Sequence, residues 1–332
     1  MRLRALGLVL ALAAFLLAPA DDAAAEQIRF ELPVDCQIGE YCTIQNFFDH
    51  DQGPGRLDYT CGRLSYDGHK GTDFRVPNLP ARARGVPVVA AAPGTVLRVR
   101  DGMEDVSVKE IGRDALGGRD AGNGVVIDHG NGWQTQYSHL RKGSMAVAPG
   151  QQVEAGEQLG LIGLSGFTEF PHVHFSVRYR GEDIDPFVGL GGFKGCEAPR
   201  QPLWSDRALE QLAYQATGIL AAGFAEGRPT ADDARAGRTL ATLDPRAPAL
   251  IFWVDVFGVM DGDLQHFAIE APDGQVLYKR DSEIETSKVI WFTYSGRKRK
   301  AAHWPPGVYR GRYRLTRDGQ IVDQVERQIS VP

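Results

Sequence analysis

Two groups of histidines carry the chemistry open to this sequence. Residues 171–177 read PHVHFSV, with His172 and His174 one residue apart in a strand-like run. Side chains two apart on a strand share a face, so both imidazoles project side by side. Upstream, GHKGTDF sets His69 four residues before Asp73. Gly68 and Gly71 favour a loop or strand there, and in extended chain i and i+4 again share a face. The third element is His139, closing the run QTQYSHL, with Tyr137 two residues earlier and therefore expected on the same face.

Imidazoles and a carboxylate aimed at one point are zinc donors. A catalytic zinc site takes three protein ligands and keeps one position open, while further polar groups handle the proton and the oxyanion. One His–Asp pair, one H-x-H pair and one lone histidine supply both sets. Each element also has a plainer reading: a hydrogen bond within a turn, a polar pair on a wet sheet face, a structural histidine. Spacing alone does not divide the work between His172 and His174.

The other histidines read differently. His129, in the turn DHGNG, is expected to face solvent. His50 lies between Asp49 and Asp51 without the regular spacing of an EF-hand loop. His266 and His303 read as surface residues, and no nucleophile elbow with a Ser-His-Asp order is evident.

Strands must position these groups. VPVVAAAPGTVLRVR (86–100) reads as two strands around Pro93-Gly94, and GVVIDHGNGWQTQYSHL (124–140) as a hairpin turning at Asn131-Gly132. EAGEQLGLIGLSG (154–166) holds a short strand, and HVHFSVRYRGEDID (172–185) a hairpin turning near Gly181. The rhythm is antiparallel, without βαβ units. The polar loop 103–122 reads as a lid or groove wall. After a loop-like boundary at 191–204, Ser205 is placed to cap a short helix. Further strands follow, with hairpin turns at Asp273-Gly274 and Asp318-Gly319. Their spacing suggests a β-sandwich of immunoglobulin or fibronectin type, although the Cys…Trp…Cys signature is absent.

The ordered set H-x-x-x-D, H-L, H-x-H resembles that of the LytM/lysostaphin-type zinc metallopeptidases, which are peptidoglycan endopeptidases. The resemblance runs through AAAPGTVLRV (90–99), GNGVVIDHGNGW (122–133) and VEAGEQLGLIGLSG (153–166), and covers roughly residues 61–188. It implies an antiparallel β-sheet peptidase core with a groove and one zinc ion held by His69, Asp73 and His174. It implies His139 and His172 as the catalytic histidines beside the metal. The implied substrate is the peptide cross-link of cell-wall peptidoglycan. All five positions are occupied, unlike degenerate members that have lost ligands and activate other hydrolases. The rival readings are a peptidoglycan-binding or hydrolase-regulating module and a cupin-like metal enzyme. Cupins carry H-x-H early, with a Glu soon after it; here H-x-H comes last among the site histidines.

Arg2 and Arg4, the apolar run 6–17 and Ala23-Ala24-Ala25 make a secretory signal over residues 1–25, too short to anchor the chain stably in a membrane. This places the protein in the periplasm or outside the cell. Four cysteines in an oxidising compartment read as two disulfides, and of three pairings we favour Cys36–Cys42 and Cys61–Cys196. A net charge of −5 gives no sign of nucleic-acid binding. The basic run Arg297–Lys300 reads as a solvated turn. The expected organisation is a mainly β chain: an irregular segment 26–60, the peptidase 61–198 and the sandwich 205–332. A protein partner that gates the groove is left open.

Overall fold

The protein is described here by a computed structural model covering residues 28–332. The signal reading of residues 1–25 lies outside the described residues.

The first unit contains β1 (Thr43–Asn46), β2 (Thr72–Arg75), β3 (Pro87–Val89), β4 (Gly94–Arg100), β5 (Asn123–Gly130) and β6 (Trp133–Leu140). It continues with β7 (Gln152–Val153), β8 (Gln158–Leu161), β9 (His172–Tyr179) and β10 (Glu182–Ile184). The main sheet runs β1-β2-β9-β6-β5-β4-β7, with β10 also on β9, while β3 pairs with β8 apart from it. All pairings are antiparallel. Asn131 and Gly132 both take positive φ, 51° and 86°. That is the twist a two-residue hairpin between β5 and β6 requires.

Alternation gives the sheet two unlike faces. Phe74, Tyr137, Val173, Phe175 and Val177 point into one apolar core with Phe30 and Trp204. Burying each such side chain contributes roughly 1.5–3 kcal/mol, so the register is strongly fixed. A one-residue slip would turn this set outward. Asp73, Arg75, His172 and His174 occupy the intervening positions and the opposite face.

Two features differ from expectation. The segment 26–60 is not wholly irregular, because Thr43–Asn46 pairs with β2 as the edge strand. The helix capped by Ser205, α3 (Asp206–Gln211 by its bounds, after α1 Leu79–Arg84 and α2 Val108–Ile111), packs Ala208 into the first core; Leu212 beyond it does the same. The loop 103–122 is well braced. It holds α2, exchanges hydrogen bonds between Met103 and Asn123, and receives the amides of His139 at Ala121 O and Phe167 at Asp120 O.

Residues 218–331 form two further antiparallel sheets. One is β11 (Gly218–Ala225), β12 (Ala249–Val259) and β15 (Lys288–Lys298). The other is β14 (Val276–Glu283), β13 (Leu264–Glu270), β16 (Gly307–Arg317) and β17 (Gln320–Val331). Leu250, Phe252 and Val254 from the first sheet and Phe267, Tyr313 and Ile329 from the second share one core. Strand β12 is buried on both faces, since Phe257 joins the first unit's core. In the basic run, Arg297 and Arg299 give hydrogen bonds to the carbonyls of Leu277 and Ala247, so two of the four charges hold backbone rather than a free turn. Among the described residues no helix is long and apolar enough to cross a membrane.

Both disulfides pair as favoured, with Cα separations of 6.2 Å for Cys36–Cys42 and 5.5 Å for Cys61–Cys196. The second closes 135 residues of chain. Replacing Cys61 and Cys196 together by alanine is expected to lower the unfolding free energy by about 2–5 kcal/mol, chiefly by freeing the unfolded chain. Urea denaturation of the double variant beside the wild type measures this, and a loss below about 1 kcal/mol would contradict it.

Candidate metal centre

All five chemistry-bearing residues meet on the polar face of the sheet. Asp73 on β2 stands opposite His174 on β9 in the strand register. His69 precedes β2. Its Nδ1–H donates to Phe47 O at 2.6 Å, which turns Nε2 inward as the bare nitrogen. His174 Nε2 is hydrogen-bonded to Ser176 Oγ at 2.9 Å, so Nδ1 faces the same point. Asp73 Oδ2 accepts from Asn46 Nδ2 at 2.8 Å, leaving Oδ1 inward.

The three inward atoms form a nearly equilateral triangle. His69 Nε2 to Asp73 Oδ1 is 3.1 Å, His69 Nε2 to His174 Nδ1 is 3.0 Å, and His174 Nδ1 to Asp73 Oδ1 is 2.9 Å. Two bare imidazole nitrogens and a carboxylate oxygen are all acceptors, so their close approach calls for a shared positive charge. Donors about 2.0–2.1 Å from a tetrahedral zinc stand roughly 3.3 Å apart, so the triangle fits that ion with little adjustment. The remaining polar atoms are each held by an outer partner, as ligand orientation requires.

Electrostatics agree. Burial pushes the Asp73 carboxyl up, but the neighbouring histidines His69, His172 and His174 outweigh it and hold it well below the ordinary range. Burial also works against protonating His69, yet Asp73 lifts it overall. A positive charge about 3 Å from a carboxylate, at an effective dielectric near 20, is worth roughly 5 kcal/mol. A single hydrogen bond to a charged group contributes about 1.5–3 kcal/mol. The centre is therefore organised for a cation more than for a neutral donor.

His172 and His139 stand beside the triangle. His172 Nδ1–H donates to Phe170 O at 3.0 Å, and its Nε2 is 3.5 Å from Asp73 Oδ1. His139 Nδ1–H donates to Ser165 O at 2.8 Å, and the two rings are 4.7 Å apart. Burial pushes both imidazoles below their usual range; for His139, next to two other histidines, the drop is large.

His139 does not share the face of Tyr137, contrary to the alternation argument. Tyr137 is buried in the core and its hydroxyl accepts from Ala91 N. Asn123 pairs with Leu140 and Gly124 with Ser138, so His139 is an extra residue with φ 64°. This bulge turns its ring to the opposite face. A positive φ is uncommon for a residue with a Cβ, though less so for histidine than for most.

Of the other histidines, His129 departs from expectation. His129 is not simply solvent-facing: its ring nitrogens bond Pro93 O and Thr135 Oγ1. His50 pairs with Asp185 at 2.7 Å and stacks on Phe193, while Asp49 accepts backbone amides. Neither joins a metal cluster; among the described residues only His69, Asp73 and His174 do so. Sequence reasoning missed Asn46, Phe47, Ser165, Thr168 and Ser176, which act through backbone carbonyls or ordinary polar side chains.

The segment 67–186, which contains all five residues, matches the family model described as Peptidase family M23. It is an M23 peptidase domain. The M23 segment agrees with the resemblance drawn from the motif order. Over 157 residues the chain is 34% identical to the peptidoglycan DD-endopeptidase ShyA of Vibrio cholerae, covering 46% of this chain and 31% of that protein. Over 135 residues it is 34% identical to an uncharacterized metalloprotease of Haemophilus influenzae, covering 41% and 23%. A solved zinc containing peptidase from Vibrio cholerae overlaps 48% of this chain and 39% of its own, at 30% identity and TM-score 0.33. The chain thus spans less than a third of the length of these curated relatives.

Gly71 sets the close approach of the metal-side ring. A Cβ there would lie 2.6 Å from His174 Cε1 and Nε2 and 2.7 Å from Phe175 O. Gly71→Ala is expected to displace His174 and weaken metal binding at the triangle at least tenfold while the fold persists. Competition against a chromogenic chelator measures this, with circular dichroism as the control; unchanged affinity would contradict it.

Proposed function

We propose that the protein is an exported zinc endopeptidase that hydrolyses peptide cross-links of cell-wall peptidoglycan. The observation that carries this reading is the triangle of three acceptors with two histidines beside it that are not part of it. A fully structural site has no need of two further imidazoles whose Nδ1 atoms are already committed to carbonyls. The M23 domain and the relatives named as peptidoglycan endopeptidases support the substrate class.

In this reading His69, Asp73 and His174 hold the ion. Zinc bound there would acidify water and polarise a peptide carbonyl. His172 is the proton acceptor: its Nδ1–H is fixed on Phe170 O, so Nε2 presents the lone pair. His139, fixed in the same way on Ser165 O, orients the carbonyl oxygen or returns a proton to the leaving amine from Nε2. Thr168 Oγ1, 3.1 Å from His172 Nδ1, helps to set that ring. We read the loop 103–122, hydrogen-bonded to the amides of His139 and Phe167, as one wall of the substrate groove. We further read residues 61–198 as the body of the peptidase, completed by β1, Phe30 and Trp204, and the seven strands beyond it as an accessory sandwich of immunoglobulin or fibronectin type. Two sheets sharing one core support that reading.

Purified peptidoglycan and mass spectrometry of the released muropeptides test the activity. Cleavage of peptide cross-links is expected, its loss on chelation and its return with zinc. Full activity with metal confirmed absent would contradict the reading. His174→Ala and Asp73→Ala are expected to lose zinc and activity together. His139→Ala is expected to keep zinc and lose at least a hundredfold in kcat; loss of zinc in that variant would contradict its role. Burial lowers His139 and His172 from 6.5. Both therefore stay neutral, and able to accept a proton, below the pH at which free histidine charges. The acid limb of kcat/KM should have its midpoint below pH 6.5. A midpoint above that value would contradict the assignment.

A further inference from the structure

Arg75 is among the largest side chains buried whole in this protein. Its Nη1 donates to Gln45 Oε1, whereas Nε and Nη2 have no hydrogen-bond partner. The carboxylate that faces it is Asp255 on β12, with Oδ2 3.9 Å from Nη2. Asp255 is 1% exposed, and its Oδ1 has no partner. Asp73, on the same face as Arg75, has both oxygens engaged by Asn46, His69 and His174. A buried guanidinium needs a countercharge, and the second pair of sheets supplies it.

Arg75 stands directly opposite His172 in the pairing of β2 with β9. Its guanidinium carbon is 4.7 Å from the centre of the Phe170 ring, and that ring is 4.6 Å from the His172 ring at an interplanar angle of 32°. Phe170 also accepts the Nδ1–H of His172 on its carbonyl. A line of contacts thus joins Asp255, Arg75, Phe170 and His172. A cation over an aromatic face attracts it, so fixing the guanidinium fixes the ring beneath it.

We propose that Arg75 is a positioning residue for His172, and that Asp255 holds it in place, so that the C-terminal sheets set the orientation of this imidazole. The proposal rests on the reading of His172 as proton acceptor. It gives residues 218–331 a part in the reaction without any contact with substrate.

Asp255→Asn and Arg75→Lys in the full chain test it. The first keeps the shape of the carboxylate and removes its charge. The second keeps a positive charge and removes the flat guanidinium. Histidine ring resonances are recorded at fixed pH on chain stripped of metal, with His172 assigned from its loss in His172→Ala. The expected result in both variants is a shifted or split His172 resonance while those of His129 and His266 stay put. In zinc-loaded chain kcat should fall about tenfold at unchanged KM and zinc content. A folded variant whose His172 resonance and kcat match the wild type would overturn the proposal. So would a lowered melting temperature with an unmoved His172 resonance, which would make the pair a structural clamp only. If Asp255→Asn does not fold, Arg75→Lys decides. A wild-type chain inactive on peptidoglycan would overturn the endopeptidase reading instead, and the ring measurement would still decide the positioning.

Discussion

The structure around the site depends on one buried carboxylate. Asp73 is 2% exposed and ionised, and its inward oxygen stands about 3 Å from two bare nitrogens. Such a group is tolerated only where positive charge and hydrogen-bond donors surround it. The outer arrangement follows from that need. Phe47 O and Ser176 Oγ choose which nitrogen each metal-side imidazole turns inward, and Asn46 occupies the second carboxylate oxygen. Gly71 leaves room for the ring that completes the triangle.

The sheet makes this affordable by separating its faces. On β9, Val173 and Phe175 secure the register from the core side, and the same pleat sets His172 and His174 on the other. The strand that gains stability from apolar burial is thereby the strand that aims the imidazoles. His139 comes from a strand whose alternation points the wrong way, so one inserted residue corrects its direction. The cost is a left-handed backbone at a residue with a Cβ, which is tolerated where surrounding contacts over-determine it.

Much of this was legible in the residues. Antiparallel strands and the turn at Asn131-Gly132 follow from local chemistry that tertiary contacts do not override. The short spacing of Cys36 and Cys42 favours their bridge, which leaves Cys61 and Cys196, 135 positions apart, for each other. The H-x-H pair and H-x-x-x-D could be read because strand alternation is a two-residue rule. The same rule failed at His139, where the bulge depends on pairing with Asn123 and Gly124 rather than on its own sequence. Sequence also missed the outer partners: backbone carbonyls such as Phe47 O and Ser165 O have no side-chain signature. Residues 26–60 looked irregular because β1 is only four residues long and gains its order from β2. Arg75 and Asp255 are 180 positions apart, and nothing in either neighbourhood announces the other.

The edge strand β1 has a consequence for the smallest piece of this chain that can stand alone. Without it, β2 would present a row of open amides and carbonyls beside Asp73, the kind of border along which separate molecules stick together. The family match begins at residue 67 and ends at 186, leaving out β1, Phe30 and Trp204. A fragment cut to those limits would lose the border's cover, a partner of the buried carboxylate in Asn46, and aromatic filling of the core. The fold's autonomous unit is therefore wider than the stretch by which its kinship is recognised.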